Sequence, residues 1–324
     1  MKLLRLRNAL ALARRDPAKA VALAGAVAYL RAYRTRHLSA EVHRIENWLA
    51  LQRDQSRRLT RLLRDEPLRY LDVGARGGPD PRLHRYRQFF RFTLVEPDPG
   101  EAADLRSRGY DVTEDALGAS DGTATLNITR WPGSSSLLDP HSLWRDYTNS
   151  DHGFLEVLSR PQVTVTTIDK LVERTGQVYD GVKLDTQGTE GSILRGMTGE
   201  QPFLILSEVS FVELYRKQET FPSLAARLYE LGFVLADLQV RGYLPDHPDC
   251  TKFGARVSPG LPLHGDALFV PDWASDAGRT IIERDLARWA AIWLGFGREE
   301  LVRFVVSRLG DSDTRAFIRS AMDG

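Results

Sequence analysis

Residues 70–78 read YLDVGARGG, an apolar run interrupted by one acid and followed by three glycines within five residues. A short apolar run bounded by glycine is typical of a strand buried on both faces. Glycines directly after such a strand let the backbone turn sharply and come close to a ligand. The stretch therefore predicts a parallel sheet covered by helices, with a ligand-binding loop at the end of its first strand.

Three further stretches have the same compact, mostly apolar character and end in an acid. They are FTLVE at 92–96, VKLD at 182–185 and FLILSE at 203–208. Between them lie amphipathic segments, such as 101–109 and 224–232, that close on a glycine. This alternation indicates βαβ units, and hence an α/β, doubly wound, Rossmann-like sheet of seven mostly parallel strands.

The remaining segments predict additions to this sheet. Runs at 233–240 and 267–270 supply its later strands, whereas 123–129 and 163–168 alternate polar and apolar residues and predict an inserted β-hairpin. Asp169 is expected to cap the helix that follows the second of these segments.

The domain organisation follows from where this pattern starts and stops. We expect a helical N-terminal extension over 1–66, the α/β domain over 67–273 and a helical C-terminal tail over 274–324. In the N-terminal extension the apolar residues recur at spacings that build one helical stripe, with Ser39 as an N-cap. The members of this stripe are Ile45, Trp48, Leu49, Leu59, Leu62 and Leu63. The stripe must bury against the body of the protein or against a second copy, so a homodimer stays open.

Charge is distributed unevenly along the chain. Residues 1–66 carry 15 Lys and Arg against 6 Asp and Glu, a balance of +9, so the remainder carries −8 within the net +1. A solvated basic helical face is one interpretation, and peripheral contact with an anionic membrane is the other. The basic residues are spread out without interleaved aromatics, so no nucleic acid partner is expected. The single cysteine, Cys250, and the lack of a long apolar run favour a cytoplasmic protein.

Residues that could bind a cofactor fall at successive strand ends. Arg76 stands where a dinucleotide-binding loop has its second glycine, which argues against NAD or FAD. Glu96 lies 22 residues after Gly74, where a carboxylate can accept hydrogen bonds from both hydroxyls of a ribose. Asp115 could meet an adenine amine, with Ala116 and Leu117 as apolar walls. Together these features predict an adenosine ligand without pyrophosphate.

At this point the chain resembles the FkbM family of methyltransferases. The resemblance rests on six blocks that extend over roughly 69–272: LDVGARGG at 71–78, VEPD at 95–98, ALG at 116–118, TID at 167–169, VKLDTQGTE at 182–190 and LSEV at 206–209. It implies a class I methyltransferase fold, S-adenosyl-L-methionine as methyl donor and O-methylation of natural products, sugars or glycans. The cofactor-binding residues expected are Asp72, Gly74, Ala75, Gly77, Glu96, Asp115, Ala116, Leu117 and Asp185. The chain departs from the family pattern at Gln187 and Thr186, where Glu or an apolar residue is usual, and at Arg76.

Three carboxylates are candidates for the chemistry. An alcohol is a poor nucleophile at neutral pH, so a methyl acceptor needs a group that takes its proton. Asp185, at the end of a strand, is the first candidate for general base or for contact with the donor, followed by Glu190 and Glu208. Glu190 could equally complement a helix N-terminus. The polar loop Ser134, Ser135 and Ser136, flanked by Trp131 and Trp144, could bind the acceptor.

Other site chemistries find less support. Asp185 and Glu208 could converge on a divalent cation, but no third ligand is evident, so no metal is expected. His247 and Cys250 have a ligand-like spacing but make only two of the three or four ligands that zinc needs. Two alternative functions remain: a noncatalytic module that binds a partner or S-adenosylmethionine on a methyltransferase fold, and, less favoured, a nicotinamide-dependent oxidoreductase.

Overall fold

The computed structural model describes residues 55–142, 153–244, 251–252, 255–256 and 260–323. The elements below belong to one compact unit, Arg57–Gly324. Predictions on residues 1–54, on Trp144 and on residues 247–250 lie outside the described residues.

The strands and helices are numbered along the chain. The strands are β1 Leu68–Val73, β2 Phe90–Val95, β3 Asp111–Thr113, β4 Ala116–Leu117, β5 Gly122–Thr125, β6 Ile128–Thr129, β7 Val157–Ser159, β8 Gln162–Thr166, β9 Gly181–Leu184, β10 Leu204–Ser210, β11 Phe233–Leu244, β12 Thr251–Lys252, β13 Ala255–Arg256 and β14 Leu261–Pro271. The helices are α1 Pro99–Ser107, α2 Ile168–Thr175, α3 Glu190–Arg195, α4 Phe221–Glu230, α5 Asp276–Arg284, α6 Leu286–Gly295, α7 Glu299–Val306 and α8 Ser312–Asp323. A 3-10 segment, Pro81–Phe89, leads into β2.

The central sheet confirms the predicted seven-stranded, mostly parallel architecture. Its order is β11-β14-β10-β9-β1-β2-β3, with β14 antiparallel to both of its neighbours. Chain order reverses at β1, which lies between β2 and β9. Open α/β sheets bind ligands beyond the carboxyl ends of the strands at such a reversal. The topology therefore predicts a ligand site at the loops that follow β1, β2 and β9.

The two alternating segments form a separate antiparallel ribbon. β5 pairs with β8 and, farther along the same two chain segments, β6 pairs with β7. β4 adds to this ribbon as a parallel neighbour of β8. The Ser136 hydroxyl donates to the Gln187 carbonyl at 2.7 Å, so the loop between β6 and β7 is tied to the end of β9.

The hydrophobic core extends into the helices at both ends of the unit. Trp289 and Trp293 of α6 are fully buried, and the Trp293 indole donates to the Phe203 carbonyl at 2.9 Å. Leu59 and Leu62 are buried in the same core, so this part of the predicted stripe packs on the body of the protein. Among the described helices, none has the length and hydropathy needed to cross a bilayer.

One capping prediction is wrong. Thr167, not Asp169, caps α2, because the Thr167 hydroxyl accepts from the Lys170 amide at 3.0 Å. The Asp169 carboxylate lies in the first turn and accepts from Thr198 and Gly199 instead. These bonds hold the pKa of Asp169 below its usual range, against the opposing effect of burial.

Candidate functional site

A cavity of about 500 Å³ opens at the carboxyl ends of β1, β2 and β9, within the usual size range for small-molecule sites. It collects residues from four sequence blocks that lie far apart along the chain. Among the predicted site residues, those that line it are Gly74, Glu96, Ala116, Leu117, Ser135, Ser136 and Asp185. The structure therefore brings the glycine loop, the ribose acid, the apolar walls and the first candidate base into one cavity.

Gly74 is required by a close approach between two loops. Its φ is +78°, and a Cβ built there would overlap the Asp185 carbonyl oxygen and lie 2.8 Å from the carbonyl carbon. The Asp185 amide in turn donates to the Val73 carbonyl at 3.0 Å. Only glycine combines this conformation with the absence of a side chain. The loops after β1 and β9 consequently meet backbone to backbone.

Asp72 supports the glycine loop from below and does not line the cavity. It is fully buried, and its carboxylate accepts from the Asp80 amide at 2.8 Å and from Lys183 Nζ at 3.0 Å. Burial raises the pKa of Asp72, although the Lys183 ammonium works in the opposite direction. Asp72 therefore holds the loop in place.

Lys183 connects Asp72 with Asp185, the candidate base. Its ammonium lies 3.3 Å from Asp185 Oδ2 as well as 3.0 Å from Asp72 Oδ1. Burial disfavours the charged ammonium, but the carboxylates of Asp72 and Asp185 outweigh burial and raise the pKa of Lys183. A permanent cation therefore stands beside the Asp185 carboxylate.

Glu96 presents a buried carboxylate to the cavity. Its Oε1 accepts from the Asp98 amide at 3.0 Å, and burial raises the pKa of Glu96 to about 6. Beside it, Arg76 is held by Asp98 at 2.7 Å and Glu101 at 3.1 Å. Arg76 thus clamps the glycine loop to α1, which explains why an arginine fits where dinucleotide-binding loops carry glycine.

Three other residues expected at the cofactor do not line the cavity. Asp115 accepts from Arg174 at 2.7 Å, so the adenine contact expected of its side chain is not supported by this arrangement. Ala75 is buried, and its amide donates a hydrogen bond to the Val95 carbonyl. The Gly77 amide donates to the Glu101 carboxylate. The wall beside the predicted adenine position is apolar, formed by β4.

Gln187 lies at the centre of the acid cluster. Its side-chain amide donates to Asp185 Oδ1 at 3.2 Å and to Glu208 Oε2 at 2.6 Å, and its Oε1 accepts from the Tyr215 hydroxyl at 3.2 Å. Its backbone has φ +59°, a strained conformation for a residue other than glycine. Strain of this kind persists only where the surroundings enforce it. Gln187 therefore orients Asp185 from one side while Lys183 holds it from the other.

Glu190 is buried and Glu208 is half-buried beside this cluster, and neither lines the cavity. Glu190 accepts from the amides of Thr186 at 2.8 Å and Gly188 at 3.0 Å, so it closes the loop after β9. Burial raises the pKa of Glu190 despite these bonds. Burial, and then the charge of Asp185, raise the pKa of Glu208 well above its usual range. His264 Nδ1 lies 3.5 Å from Glu208 Oε1.

Replacing Gln187 with glutamate should destabilise the protein in a pH-dependent way. The variant places a third carboxylate against Asp185 and Glu208, which raises the pKa of the new carboxyl group and raises that of Glu208 further. The loss of stability is absent while the acids are protonated and grows as pH rises. We expect Tm relative to wild type to fall by about 5 °C more at about pH 8 than at about pH 5.

Gln187→Met is the matched control, since it is neutral and similar in length. Its change in Tm should depend less on pH, because it loses the amide donor but adds no third charge. An equal loss for Gln187→Glu at both pH values would contradict the contacts of Gln187 with the two carboxylates.

The three serines differ in what they can offer. The Ser136 hydroxyl donates to Gln187 O and accepts from the Leu138 amide at 3.0 Å, so both of its roles are filled. Ser135 accepts from the Thr129 amide at 3.2 Å and keeps its own proton for a ligand. Ser134 does not line the cavity, and its carbonyl accepts from the Tyr215 hydroxyl at 2.9 Å. Of the three, Ser135 fits the expected substrate contact best.

Several residues of the cavity were not predicted. Lys183 had a signal in the sequence, because a lysine inside a buried strand needs a carboxylate partner. Arg82, Arg241 and Asp266 had none, since their convergence depends on the pairing of β10, β14 and β11. No group of three or more metal-ligating side chains occurs within the described parts of the chain.

Comparison with known proteins assigns the family. The family model described as "Methyltransferase FkbM domain" matches residues 72–235, about half of the chain. This chain belongs to the FkbM methyltransferase family. The match includes the glycine loop, Glu96 and the loop after β9, so the FkbM domain contains most of the cavity. No curated protein matches the chain.

Solved structures were also compared. A 1,6-didemethyltoxoflavin N1-methyltransferase from Burkholderia thailandensis, with bound 1,6-didemethyltoxoflavin and S-adenosylhomocysteine, is 17% identical over 72% of this chain and 85% of its own, with a TM-score of 0.30. A SAM-dependent methyltransferase from Archaeoglobus fulgidus is 10% identical over 66% of this chain and 94% of its own, with a TM-score of 0.32. A SAM-dependent methyltransferase from Agrobacterium tumefaciens is 12% identical over 70% of this chain and 61% of its own, with a TM-score of 0.30.

Proposed function

We propose that this protein is an S-adenosylmethionine-dependent O-methyltransferase that acts on a hydroxyl of a sugar, glycan or natural product. One observation carries the proposal: Gly74, Glu96, the β4 wall and Asp185 line a single cavity. Membership in the FkbM family supports methyl transfer.

The residues of the cavity fit the proposed donor. Glu96 can accept hydrogen bonds from two ribose hydroxyls, and Ala116 and Leu117 offer an apolar wall for a base. The bare backbone at Gly74 leaves space where a side chain would stand. S-adenosylmethionine supplies an activated methyl group on a sulfonium, so the protein must contribute position and a proton acceptor.

Asp185 is the proton acceptor that we propose. Its side chain is 37% exposed, whereas Glu190 is buried and the Glu208 side chain is only 18% exposed. Lys183 and Gln187 hold its two oxygens from opposite sides, which fixes the direction in which a free lone pair points. An acceptor hydroxyl that hydrogen bonds to Asp185 would transfer its proton there as it attacks the methyl carbon.

Ligand binding tests the proposal directly. S-adenosylhomocysteine should raise Tm by an amount that grows with the logarithm of its concentration once this exceeds the dissociation constant, and NAD should not. A panel of hydroxyl acceptors then identifies turnover from the release of S-adenosylhomocysteine. Stabilisation by NAD in preference to S-adenosylhomocysteine would remove the proposal, and binding without turnover on any acceptor would favour the noncatalytic module.

The ionisation of Glu96 should control donor affinity. Only the carboxylate can accept from both ribose hydroxyls, so affinity for S-adenosylhomocysteine should fall about tenfold from about pH 8 to about pH 5, one unit below the folded pKa. Because the folded pKa of about 6 exceeds the usual 4.5, ionised Glu96 also costs stability, and this cost develops as pH rises through that interval.

Glu96→Gln is therefore expected to weaken S-adenosylhomocysteine binding about tenfold or more at about pH 8 while raising the free energy of unfolding by about 2 kcal/mol. Calorimetric titration and denaturant unfolding measure the two quantities. The control Asp115→Asn should change neither quantity, because the Asp115 carboxylate pairs with Arg174 and does not line the cavity. Unaltered affinity in Glu96→Gln would show that Glu96 does not bind the ribose.

The cellular setting remains a prediction. A cytoplasmic location, membrane contact through the basic residues 1–66 and a homodimer all concern parts of the chain mostly outside the described residues. Vesicle flotation of the full chain, with anionic and with neutral lipid, tests the membrane contact.

A further inference from the structure

Two arginines meet at the end of the cavity that lies farthest from Glu96. Arg82 Nη1 and Arg241 Nε both contact Asp266 Oδ2, at 3.2 Å and 2.9 Å. All three residues line the cavity. One carboxylate oxygen is thus shared by two guanidinium groups.

Both arginines keep free donors. Arg82 Nε is engaged by the carboxylate of Asp80, which is fully buried behind it. Within the described segments, Nη2 of Arg82 and both terminal nitrogens of Arg241 have no hydrogen-bond partner. Arg76, the other arginine of the cavity, differs because both of its terminal nitrogens are occupied.

Arg82, Arg241 and Asp266 form one wall of the cavity, and the exposed charge at this wall is positive. The side chains of Arg82 and Arg241 are 35% and 51% exposed, whereas Asp266 is 20% exposed. The second carboxylate of the cluster, Asp80, also lines the cavity, but its side chain is not solvent-exposed and both of its oxygens are engaged by Arg82 Nε. A ligand therefore meets two partly neutralised guanidinium groups, whose free N–H pairs match the geometry of a carboxylate or phosphate.

The position of this wall connects it with the acceptor. Asp266 pairs with Glu208 across β14 and β10, and β10 is the neighbour of β9, which ends at the candidate base. Two strand spacings amount to about 10 Å. Glu96 directly follows β2, which lies on the opposite side of β9 from β10. The wall thus stands beyond Asp185 as seen from the proposed adenosine position.

We propose that Arg82 and Arg241 bind an anionic group, a carboxylate or phosphate, carried by the methyl acceptor on the side of Asp185 away from the proposed adenosine position. This inference rests on the proposed function. The methionine carboxylate of the donor has the same chemistry, so the experiment separates the two sources.

The test measures binding of glucuronate, glucose 6-phosphate and glucose to the protein saturated with S-adenosylhomocysteine. At least one anionic sugar should raise Tm while glucose does not, and Arg241→Ala should weaken that binding about tenfold or more. Arg241→Lys should recover only part of it, because lysine keeps the charge but loses the fork. Arg106→Ala, at an exposed arginine outside the cavity, is the control and should have no effect.

The outcomes are distinct. Equal effects of glucose and both anionic sugars, or an unchanged response in Arg241→Ala, would overturn the inference. If Arg241→Ala weakens binding of S-adenosylhomocysteine but not of 5′-methylthioadenosine, the arginines bind the donor carboxylate and the acceptor assignment is wrong. A wild-type protein that binds no S-adenosylhomocysteine would instead refute the proposed function.

Discussion

Gly74→Ala is expected to abolish measurable binding of S-adenosylhomocysteine and to lower the free energy of unfolding by about 1–3 kcal/mol. A Cβ at residue 74 overlaps the Asp185 carbonyl, so the loops after β1 and β9 must separate. The alanine also has to adopt a φ of +78°. Separation of the two loops displaces the backbone that forms the floor of the cavity.

Gly77→Ala provides the control for this prediction. Gly77 has a similar φ of +80°, but no atom lies within 4 Å of a Cβ built there. The control therefore carries the conformational cost without the collision. Calorimetric titration with S-adenosylhomocysteine and denaturant unfolding should show a clearly larger effect at residue 74, and equal effects in the two variants would refute the importance of the close approach.

Asp185→Asn is expected to lower kcat by about 100- to 10,000-fold, the range associated with loss of a general base. Asparagine keeps the size of the side chain and its bond to Gln187, so the shape of the cavity is preserved. Lys183 loses one carboxylate but retains Asp72 at 3.0 Å. Affinity for S-adenosylhomocysteine should stay within about threefold, well under the tenfold that 1.4 kcal/mol produces.

The measurement is single-turnover methyl transfer to an acceptor found in the panel, over a range of pH. The asparagine variant should be slow at every pH, because it has no carboxylate to accept the proton. A rate reduced less than about tenfold would exclude Asp185 as the base. A large loss of S-adenosylhomocysteine affinity would instead identify Asp185 as a contact of the donor.

Much of the central sheet could be predicted because its information is local. The run at 70–78 has the composition of a buried strand and the glycines of a ligand loop, and both properties depend on neighbouring residues alone. The same is true of Glu96, which follows a buried strand at the expected distance from the loop. Parallel strands align their carboxyl ends, so these residues had to meet at one edge.

Side-chain direction was not determined locally. Asp115 and Ala116 are adjacent in the chain. Ala116 lines the cavity, whereas Asp115 pairs with Arg174 on helix α2. Asp169 shows the same limit, because its bonds to Thr198 and Gly199 form across the fold. In both cases the side chain binds a partner that is distant in sequence and near in space, and sequence position alone does not reveal that partner.

By itself, the sequence determined the α/β class, the glycine loop and the acid at the end of the second strand, since each follows from residue types at short spacing. Only the tertiary structure decided that Gln187 bridges Asp185 and Glu208, and that Arg82 and Arg241 share Asp266. Apart from the bond between Gln187 and Asp185, these contacts join residues 21 to 184 positions apart, and their geometry depends on strand order, register and burial. Such quantities are properties of the packed chain, and no local pattern encodes them.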